Sequence, residues 1–304
     1  MSAVVSATEA VAVSAPRTDQ TSTRSFGVLT LTCTERPGIV QAVTSFLLAH
    51  GLNIVEHHQF DDSDRQVLFL RTAFAAEHEL DLHRLRVEFA ATAEQFGMSF
   101  SFHDETKPRL LVMVSKFGHC LNDLIFRWRA GTLGGDIALV VSNHPDLRPM
   151  AEAAGLPFLH VPVTAATKAD AEQRLLKLVD EHRIDLVVLA RYMQILSDDL
   201  CRALQGRAIN IHHSFLPGFK GAKPYHQAYW RGVKLVGATA HYVTAELDEG
   251  PIIEQEVIRV DHTYHPRTLA TVGQDAECLA LSRAVRWHCE NRILFHGGST
   301  VVFR

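Results

Sequence analysis

Short, uninterrupted apolar runs alternate with helical patterns between residues 110 and 212, and this alternation constrains the fold more than any other feature. The run Leu-Val-Val-Leu at 186–189 has no polar residue on either face, which predicts a strand buried on both sides of a parallel sheet. Similar runs occur at 110–115, 136–142, 158–161 and 208–212. We therefore predict a doubly wound, mainly parallel α/β sheet with ligand sites at the carboxyl ends of its strands. Beyond residue 235 we predict strands at 238–243 and 252–260, a helix at 274–288 and a last strand at 300–303.

The region before Lys107 has a different order of elements. Two helix patterns, at 39–50 and 80–96, are interleaved with strand patterns at 27–33, 52–59, 66–74 and 98–102. The order βαββαβ is ferredoxin-like. Lys107-Pro108 forms a short hinge, so we predict a disordered tail at 1–24, a first domain at 25–104 and a second domain at 105–304.

Polar residues end the run at 208–212, and a second polar cluster follows some thirty residues later. Side chains alternate along a strand, so Asn210 and His212 share one face while Ile211 and His213 point to the other. Asp248 precedes a Gly-Pro break at 250–251. An amide, an imidazole and a carboxylate suit acyl-group chemistry, in which they serve as oxyanion donor, proton-transfer group and its orienter.

The sequence around these residues resembles the folate-dependent formyltransferase family. The resemblance rests on the Asn-x-His strand end, on Ser-Phe-Leu-Pro at 214–217 and on Leu-Asp-x-Gly-Pro at 247–251. The stretches at 115–121, 189–196 and 220–228 narrow it to the hydrolytic branch of that family, the formyltetrahydrofolate deformylases. The resemblance extends from about residue 27 to the C-terminus.

The resemblance implies an enzyme that hydrolyses 10-formyltetrahydrofolate to formate and tetrahydrofolate, feeding formate to purine synthesis and balancing the one-carbon folate pool. It implies Asn210, His212 and Asp248 as the catalytic set, and either Asp248 or His212 as the base that takes a proton from water. The folate is the substrate, and we expect no cofactor. The other substrate contacts implied are Arg191, Met193, Gln194, Ile195, Leu196, His241, Val243 and Gly118. The pterin would lie between the segment 191–196 and the loop around Val243, recognised by backbone groups of Gln194 and Leu196.

The loop at 115–120 separates two versions of this chemistry. In the related transformylase of glycinamide ribonucleotide the matching loop is small and grips the acceptor's phosphate, whereas here it carries Lys116, Phe117 and His119. This difference favours water as acceptor over an amine, and the intact catalytic set argues against a sensor that has lost its activity. The segment 220–225 is either a lid over the site or a solvated basic loop.

Two stretches of the first domain, at 36–40 and 51–54, resemble the ACT domain, a small amino-acid-sensing module. This resemblance implies a homo-oligomer, dimer or tetramer, and an effector site for an amino acid at Gly38, Ile39 and Asn53. The alternative is a pairing scaffold that binds no ligand.

Composition excludes several other classes of protein. The formal net charge of -4 gives no electrostatic reason to expect nucleic acid as a partner. The 18 histidines include no His-Glu-x-x-His motif, so we expect no metal. The five cysteines are scattered, which indicates reduced thiols in a cytoplasm. Since no apolar run approaches the ~20 residues of a membrane span, we expect no membrane association.

Overall fold

The computed structural model describes residues 24–216 and 224–304. Most of the predicted tail at 1–24, and residues 220–223 of the predicted lid, therefore lie outside the described residues. No helix of the described residues is both long enough and apolar enough to cross a membrane.

The first six elements form an antiparallel sheet covered by two helices. The order along the chain is β1 (Ser25–Thr34), α1 (Ile39–Ala49), β2 (Asn53–Asp62), β3 (Val67–Ala76), α2 (Leu82–Phe96) and β4 (Ser99–His103). The strand order across the sheet is β2-β3-β1-β4. The ferredoxin-like βαββαβ order is therefore confirmed. Apolar residues of both helices and of the sheet make one core, in which Leu29, Phe74, Phe89 and Phe102 are fully buried.

The remaining elements build a mixed sheet of seven strands with helices on both faces. They follow in the order β5 (Arg109–Val114), α3 (His119–Arg129), β6 (Asp136–Ser142), α4 (Arg148–Ala153), β7 (Phe158–His160), α5 (Lys168–Glu181), β8 (Leu186–Leu189), α6 (Asp198–Ala203), β9 (Ala208–His212), α7 (Pro224–Trp230), β10 (Leu235–Tyr242), β11 (Ile252–Arg259), α8 (Pro266–Cys289), β12 (Ile293–His296) and β13 (Ser299–Val302). The strand order is β11-β10-β9-β8-β5-β6-β7. Strands β5 to β9 are parallel, and β10 and β11 add an antiparallel edge.

Alternate residues of the central strands face different cores, as their apolar character predicts. Leu186 and Val188 of β8 pack with α3 and α8, whereas Val187 and Leu189 pack with α5 and α6. All residues of β8 are buried. The doubly wound, mainly parallel sheet is therefore confirmed, and the carboxyl ends of β8 and β9 open at the same edge.

The C-terminal region differs from the prediction. Helix α8 begins at Pro266 rather than at 274, with proline in its first turn, where its missing N–H leaves no hydrogen bond unmade. After α8 the chain forms the β12–β13 hairpin, of which only the second strand is predicted. The hairpin packs on the first domain, where Leu294 and Phe303 contact Phe69 and His296 Nε2 lies 2.6 Å from an Asp62 oxygen.

Candidate active site

Strand β9 carries two of the predicted catalytic side chains to the end of the sheet. Asn210 pairs with Leu189 of β8 on one side and with His241 of β10 on the other, and His212 is the last residue of the strand. This is the point at which the parallel order changes to antiparallel. His212 is buried, and Asn210 is half-buried. The two side chains therefore end up beside each other where α/β sheets place their ligands.

The loop between β10 and β11 brings Asp248 to the same point. Asp248 has the positive φ of 59°, a left-handed backbone conformation that is uncommon for residues other than glycine. Gly250 follows, and a Cβ added to it would lie 1.8 Å from the carbonyl oxygen of Tyr242. The Tyr242 N–H closes the loop by donating to the Pro251 carbonyl at 2.9 Å. The glycine therefore permits a tight loop that fixes the position of the carboxylate.

Asp248 orients the imidazole of His212. One carboxylate oxygen lies 3.2 Å from His212 Nδ1. Burial raises the pKa of Asp248, but the hydrogen bond and charge of His212 outweigh it, so the pKa lies below its ordinary value. An ionised carboxylate only accepts hydrogen bonds, so Nδ1 carries the proton. Nε2 of His212 is buried and, in the part of the chain that the structure describes, has no hydrogen-bond partner.

His241 holds the side-chain amide of Asn210. Its Nδ1 lies 2.8 Å from the carbonyl oxygen of Tyr242, and its Nε2 lies 3.2 Å from Asn210 Nδ2. The carbonyl can only accept, so Nδ1 is the protonated nitrogen and Nε2 accepts from Asn210. Burial lowers the pKa of His241, which favours this neutral form. The amide of Asn210 is thereby fixed with its nitrogen toward His241, and within residues 24–216 and 224–304 the second N–H of that nitrogen is left for another acceptor.

These residues line a cavity of about 450 Å³, a volume in the range of small-molecule sites. Asn210, His212 and Asp248 form part of its wall. The structure brings to the same wall every predicted substrate contact except Gly118: Arg191, Met193, Gln194, Ile195, Leu196, His241 and Val243. Gly118 lies instead directly before α3, where a Cβ would meet the side chains of Leu147 and Met150.

His213 corrects the expectation that it points away from His212. Both histidines line the same cavity, and their ring centroids are 5.2 Å apart. Strand β9 ends at His212, so the alternation of side chains that holds within a strand does not extend to His213. Burial lowers the pKa of His213 to about 4, and the charge of Arg191 acts in the same direction.

A buried group of charged residues adjoins this cavity, and sequence reasoning did not find it. Glu277 of α8 is almost fully buried, with one carboxylate oxygen 2.7 Å from His119 Nε2 and 3.2 Å from Arg191 Nε. Its other oxygen accepts a hydrogen bond of 2.9 Å from the hydroxyl of Tyr225. Burial raises the pKa of Glu277, but these partners lower it below its ordinary value. A lone glutamate within a helical pattern carries no signal that would have marked it.

Potential metal ligands also meet in this group. Ligand atoms of His119, Cys120 and Glu277 lie within 4.8 Å of one another. The guanidinium of Arg191 lies against the same carboxylate, and a fixed positive charge there opposes the binding of a cation. The absence of a metal therefore stays a prediction, supported by charge.

The predicted effector residues of the first domain lie at the starts of α1 and β2. Gly38 caps α1 with a φ of 98°, a conformation that favours glycine, and Ile39 is buried. Asn53 is exposed at the start of β2. The binding of an effector to these residues stays a prediction.

Known proteins resemble this chain over most of its length. The profile of the formyl transferase family matches residues 108–285. The formyltetrahydrofolate deformylase of Corynebacterium sp. (strain P-1) is 56% identical over 91% of this chain and 98% of its own. The crystal structure of the formyltetrahydrofolate deformylase from Burkholderia mallei has 52% identity and a TM-score of 0.87, over 92% of this chain and 100% of its own. Glycinamide ribonucleotide transformylase 1 from Symbiobacterium toebii has 30% identity and a TM-score of 0.61, over 65% of this chain and 95% of its own.

Proposed function

Because the chain belongs to the formyltetrahydrofolate deformylases, hydrolases that carry a formyl transferase domain, we propose that its cavity hydrolyses 10-formyltetrahydrofolate to formate and tetrahydrofolate. The observation that supports this most directly is the contact of 3.2 Å between Asp248 and His212 Nδ1. It leaves Nε2 unprotonated on a histidine that lines the cavity, where a water molecule and a formyl group can meet.

The substrate would enter with its pterin at one end of the cavity. The segment from Tyr192 to Leu196 and the loop from Val243 to Leu247 supply that end, which contains exposed apolar side chains such as Met193 and Ile195. A flat heterocycle buries apolar area there, and backbone groups of Gln194 and Leu196 would pair with its polar edge. The formyl group then lies beside Asn210 and His212.

The reaction follows from the chemistry of the residues that line the cavity. The oxygen of water adds to the formyl carbon while Nε2 of His212 takes one of its protons, and Asp248 stabilises the resulting imidazolium. The carbonyl oxygen becomes an oxyanion, which accepts a hydrogen bond from the second N–H of Asn210. The bond from the formyl carbon to N10 then breaks, and N10 receives the proton held by His212. Tetrahydrofolate and formic acid are released, and the acid loses its proton to solvent.

This assignment makes His212 the base and Asp248 its orienter. Asp248 ionises more readily than an ordinary carboxyl group, which makes it a weak base but a good partner for a positively charged imidazole. His241 would act through Asn210, whose amide it holds, and would not touch the formyl group.

In the cell, we propose that the formate released feeds purine synthesis and that the hydrolysis balances the one-carbon folate pool. The five cysteines are free thiols, as expected of a cytoplasmic protein. The first domain would pair with that of a second copy and take an amino-acid effector near Gly38 and Asn53.

The test is to incubate the purified protein with 10-formyltetrahydrofolate alone and to quantify formate and tetrahydrofolate. We expect the two products in equal amounts without any amine. The matched control is the Asn210→Ala variant, which lacks the oxyanion donor and should lose about 10²–10³ in kcat. Turnover that requires an added amine, or a rate unaffected by the Asn210 change, would show that the proposal is wrong.

A further inference from the structure

The wall of the cavity contains residues that the proposed pterin site does not use. The proposed pterin site takes residues 192–196 and 243–247, whereas His213 and Arg191 line the same cavity outside these segments. The ring centroid of His213 is 5.2 Å from that of His212, so the space next to His213 adjoins the proposed formyl site. If the folate occupies the pterin site, the space next to His213 decides which molecule can attack.

The buried charged group around Glu277 extends to His213. Tyr225, which donates its hydroxyl to Glu277, has its ring 6.3 Å from that of His213. Helix α8 accommodates the phenol only because residue 273 is glycine, since a Cβ there would lie 2.0 Å from the Tyr225 hydroxyl. On the other side, Phe117 lies over the guanidinium of Arg191 at 5.5 Å. Side chains from helices α7 and α8, from the loop before α3 and from the loop after β8 thus meet in one group beside the catalytic histidine.

The energetics of this group do not favour a purely stabilising role. Buried ion pairs seldom stabilise a fold more than apolar side chains of similar volume. Nε of Arg191, although close to Glu277, is buried without a well-aligned hydrogen bond to any described residue. Arg191 also has a φ of 65°, a conformation that costs a residue other than glycine about 1–2 kcal/mol. Strain of this kind is concentrated at functional sites.

We propose that the group of Arg191, Glu277, His119 and Tyr225 determines the acceptor: it fills the space beside His213 that an amine would occupy, so that only water reaches the formyl carbon. The inference rests on the proposed hydrolysis and extends it to the choice of nucleophile. The carboxylate of Glu277 lies 3.2 Å from Nε of Arg191, so the positive charge of Arg191 is paired within the group and attracts an anionic acceptor less strongly.

The two outcomes of the reaction differ only in the nucleophile. With water, a bond from carbon to oxygen forms, the bond to N10 breaks, and N10 takes the proton that water gave up. With an amine, a bond from carbon to the amine nitrogen forms, the bond to N10 breaks, and N10 takes a proton from the amine. The products are then a formamide and tetrahydrofolate, without formate. The ratio of formamide to formate therefore measures the choice of acceptor independently of the total rate.

The experiment replaces Arg191 by glycine, which removes the guanidinium and adopts the positive φ without strain. Glycinamide serves as the amine, and 10-formyltetrahydrofolate as the donor. Arg183→Gly is the matched control, because Arg183 also has a positive φ, of 49°, but is exposed and does not line the cavity. We expect formate alone from the wild type and from Arg183→Gly, and a formamide-to-formate ratio about tenfold or more above theirs from Arg191→Gly.

A second variant opens the space beside His213 without leaving a charge unpaired. Tyr225→Ala removes the ring between Glu277 and His213, while Glu277 keeps Arg191 and His119 as partners. Tyr229→Ala, in the same helix but packed toward Val236, is its control. We expect the same rise in formamide from Tyr225→Ala and none from Tyr229→Ala.

Thermal unfolding checks that each variant folds. For a variant that folds but is inactive, calorimetric titration with glycinamide in the presence of tetrahydrofolate measures amine binding in place of turnover. Binding gained by Arg191→Gly or Tyr225→Ala supports the inference. Folded variants that neither form formamide nor bind glycinamide overturn it. Absence of formate from the wild type would instead overturn the proposed hydrolysis.

Discussion

A carboxylate oxygen of Asp248 lies 3.2 Å from Nδ1 of His212, although the two residues come from different parts of the sheet. His212 ends a parallel strand, and Asp248 lies in the loop that follows its antiparallel neighbour. This geometry depends on the structure around both side chains. The loop of Asp248 requires the close approach of Gly250 to the Tyr242 carbonyl, and the strand of His212 is held by a paired strand on each side. The contact sets the tautomer of the imidazole and so decides which nitrogen is free to take a proton.

Replacing Asp248 by asparagine tests this contact. The amide keeps the shape but removes the charge that stabilises the imidazolium, so we expect kcat to fall by about 10²–10⁴. Folate affinity should change little, because the proposed pterin contacts at 192–196 and 243–247 do not include Asp248. Steady-state kinetics and folate titration of one preparation measure both values. Asp199→Asn, at an exposed helix start, is the control and should behave as the wild type. Near-normal turnover of Asp248→Asn would remove this residue from the mechanism.

Gly250→Ala tests the loop instead of the carboxylate. The added Cβ would lie 1.8 Å from the Tyr242 carbonyl, so the loop must move and take Asp248 with it. We expect kcat to fall by at least about tenfold and the free energy of unfolding by about 1–3 kcal/mol. Gly298→Ala is the control, since among the described residues other than its two chain neighbours no atom lies within 4 Å of the added Cβ. Equal activity and equal stability of the two variants would contradict the role given to Gly250.

Acidification should destabilise the protein through histidines that are held neutral. Nδ1 of His288 shares a hydrogen bond of 2.7 Å with the hydroxyl of Tyr242, and burial lowers the pKa of His288 to about 4. Between pH about 6.5 and about 4 the unfolded chain therefore binds a proton that the folded chain does not, and stability falls as the pH falls. We expect His288→Gln to flatten this dependence by up to about 1.4 kcal/mol per pH unit.

Urea unfolding of the wild type and of His288→Gln at several pH values provides the measurement. His262→Gln, in the exposed turn before α8, is the control and should leave the slope as it is in the wild type. Parallel curves for the wild type and His288→Gln would mean that His288 does not titrate in this range.

Chelation tests the expectation that no metal takes part. The three ligand atoms at His119, Cys120 and Glu277 share their site with the positive charge of Arg191, which opposes cation binding. We expect prolonged dialysis against a strong chelator to leave kcat unchanged. Metal analysis of the dialysed protein confirms that the treatment was complete. Activity that is lost on chelation and restored by zinc or iron would identify a metal site that charge argues against.

The sequence by itself determined the elements whose signals are local. The apolar run at 186–189 predicts a strand buried on both faces because side chains alternate along it, and the order βαββαβ follows from similar local patterns. The same alternation placed Asn210 and His212 on one face, and the Gly-Pro break placed Asp248 in a loop. Family motifs then linked these three positions.

Only the tertiary structure decided which distant side chains meet. Glu277 lies 158 residues from His119 and 52 from Tyr225, and their contacts depend on how α8 packs against α3 and α7. His213 turned toward the cavity because its strand ends one residue earlier, and the β12–β13 hairpin found its partner in the first domain. Secondary structure follows from local periodicity, whereas contacts between elements depend on the packing of whole faces, which no single stretch of sequence encodes.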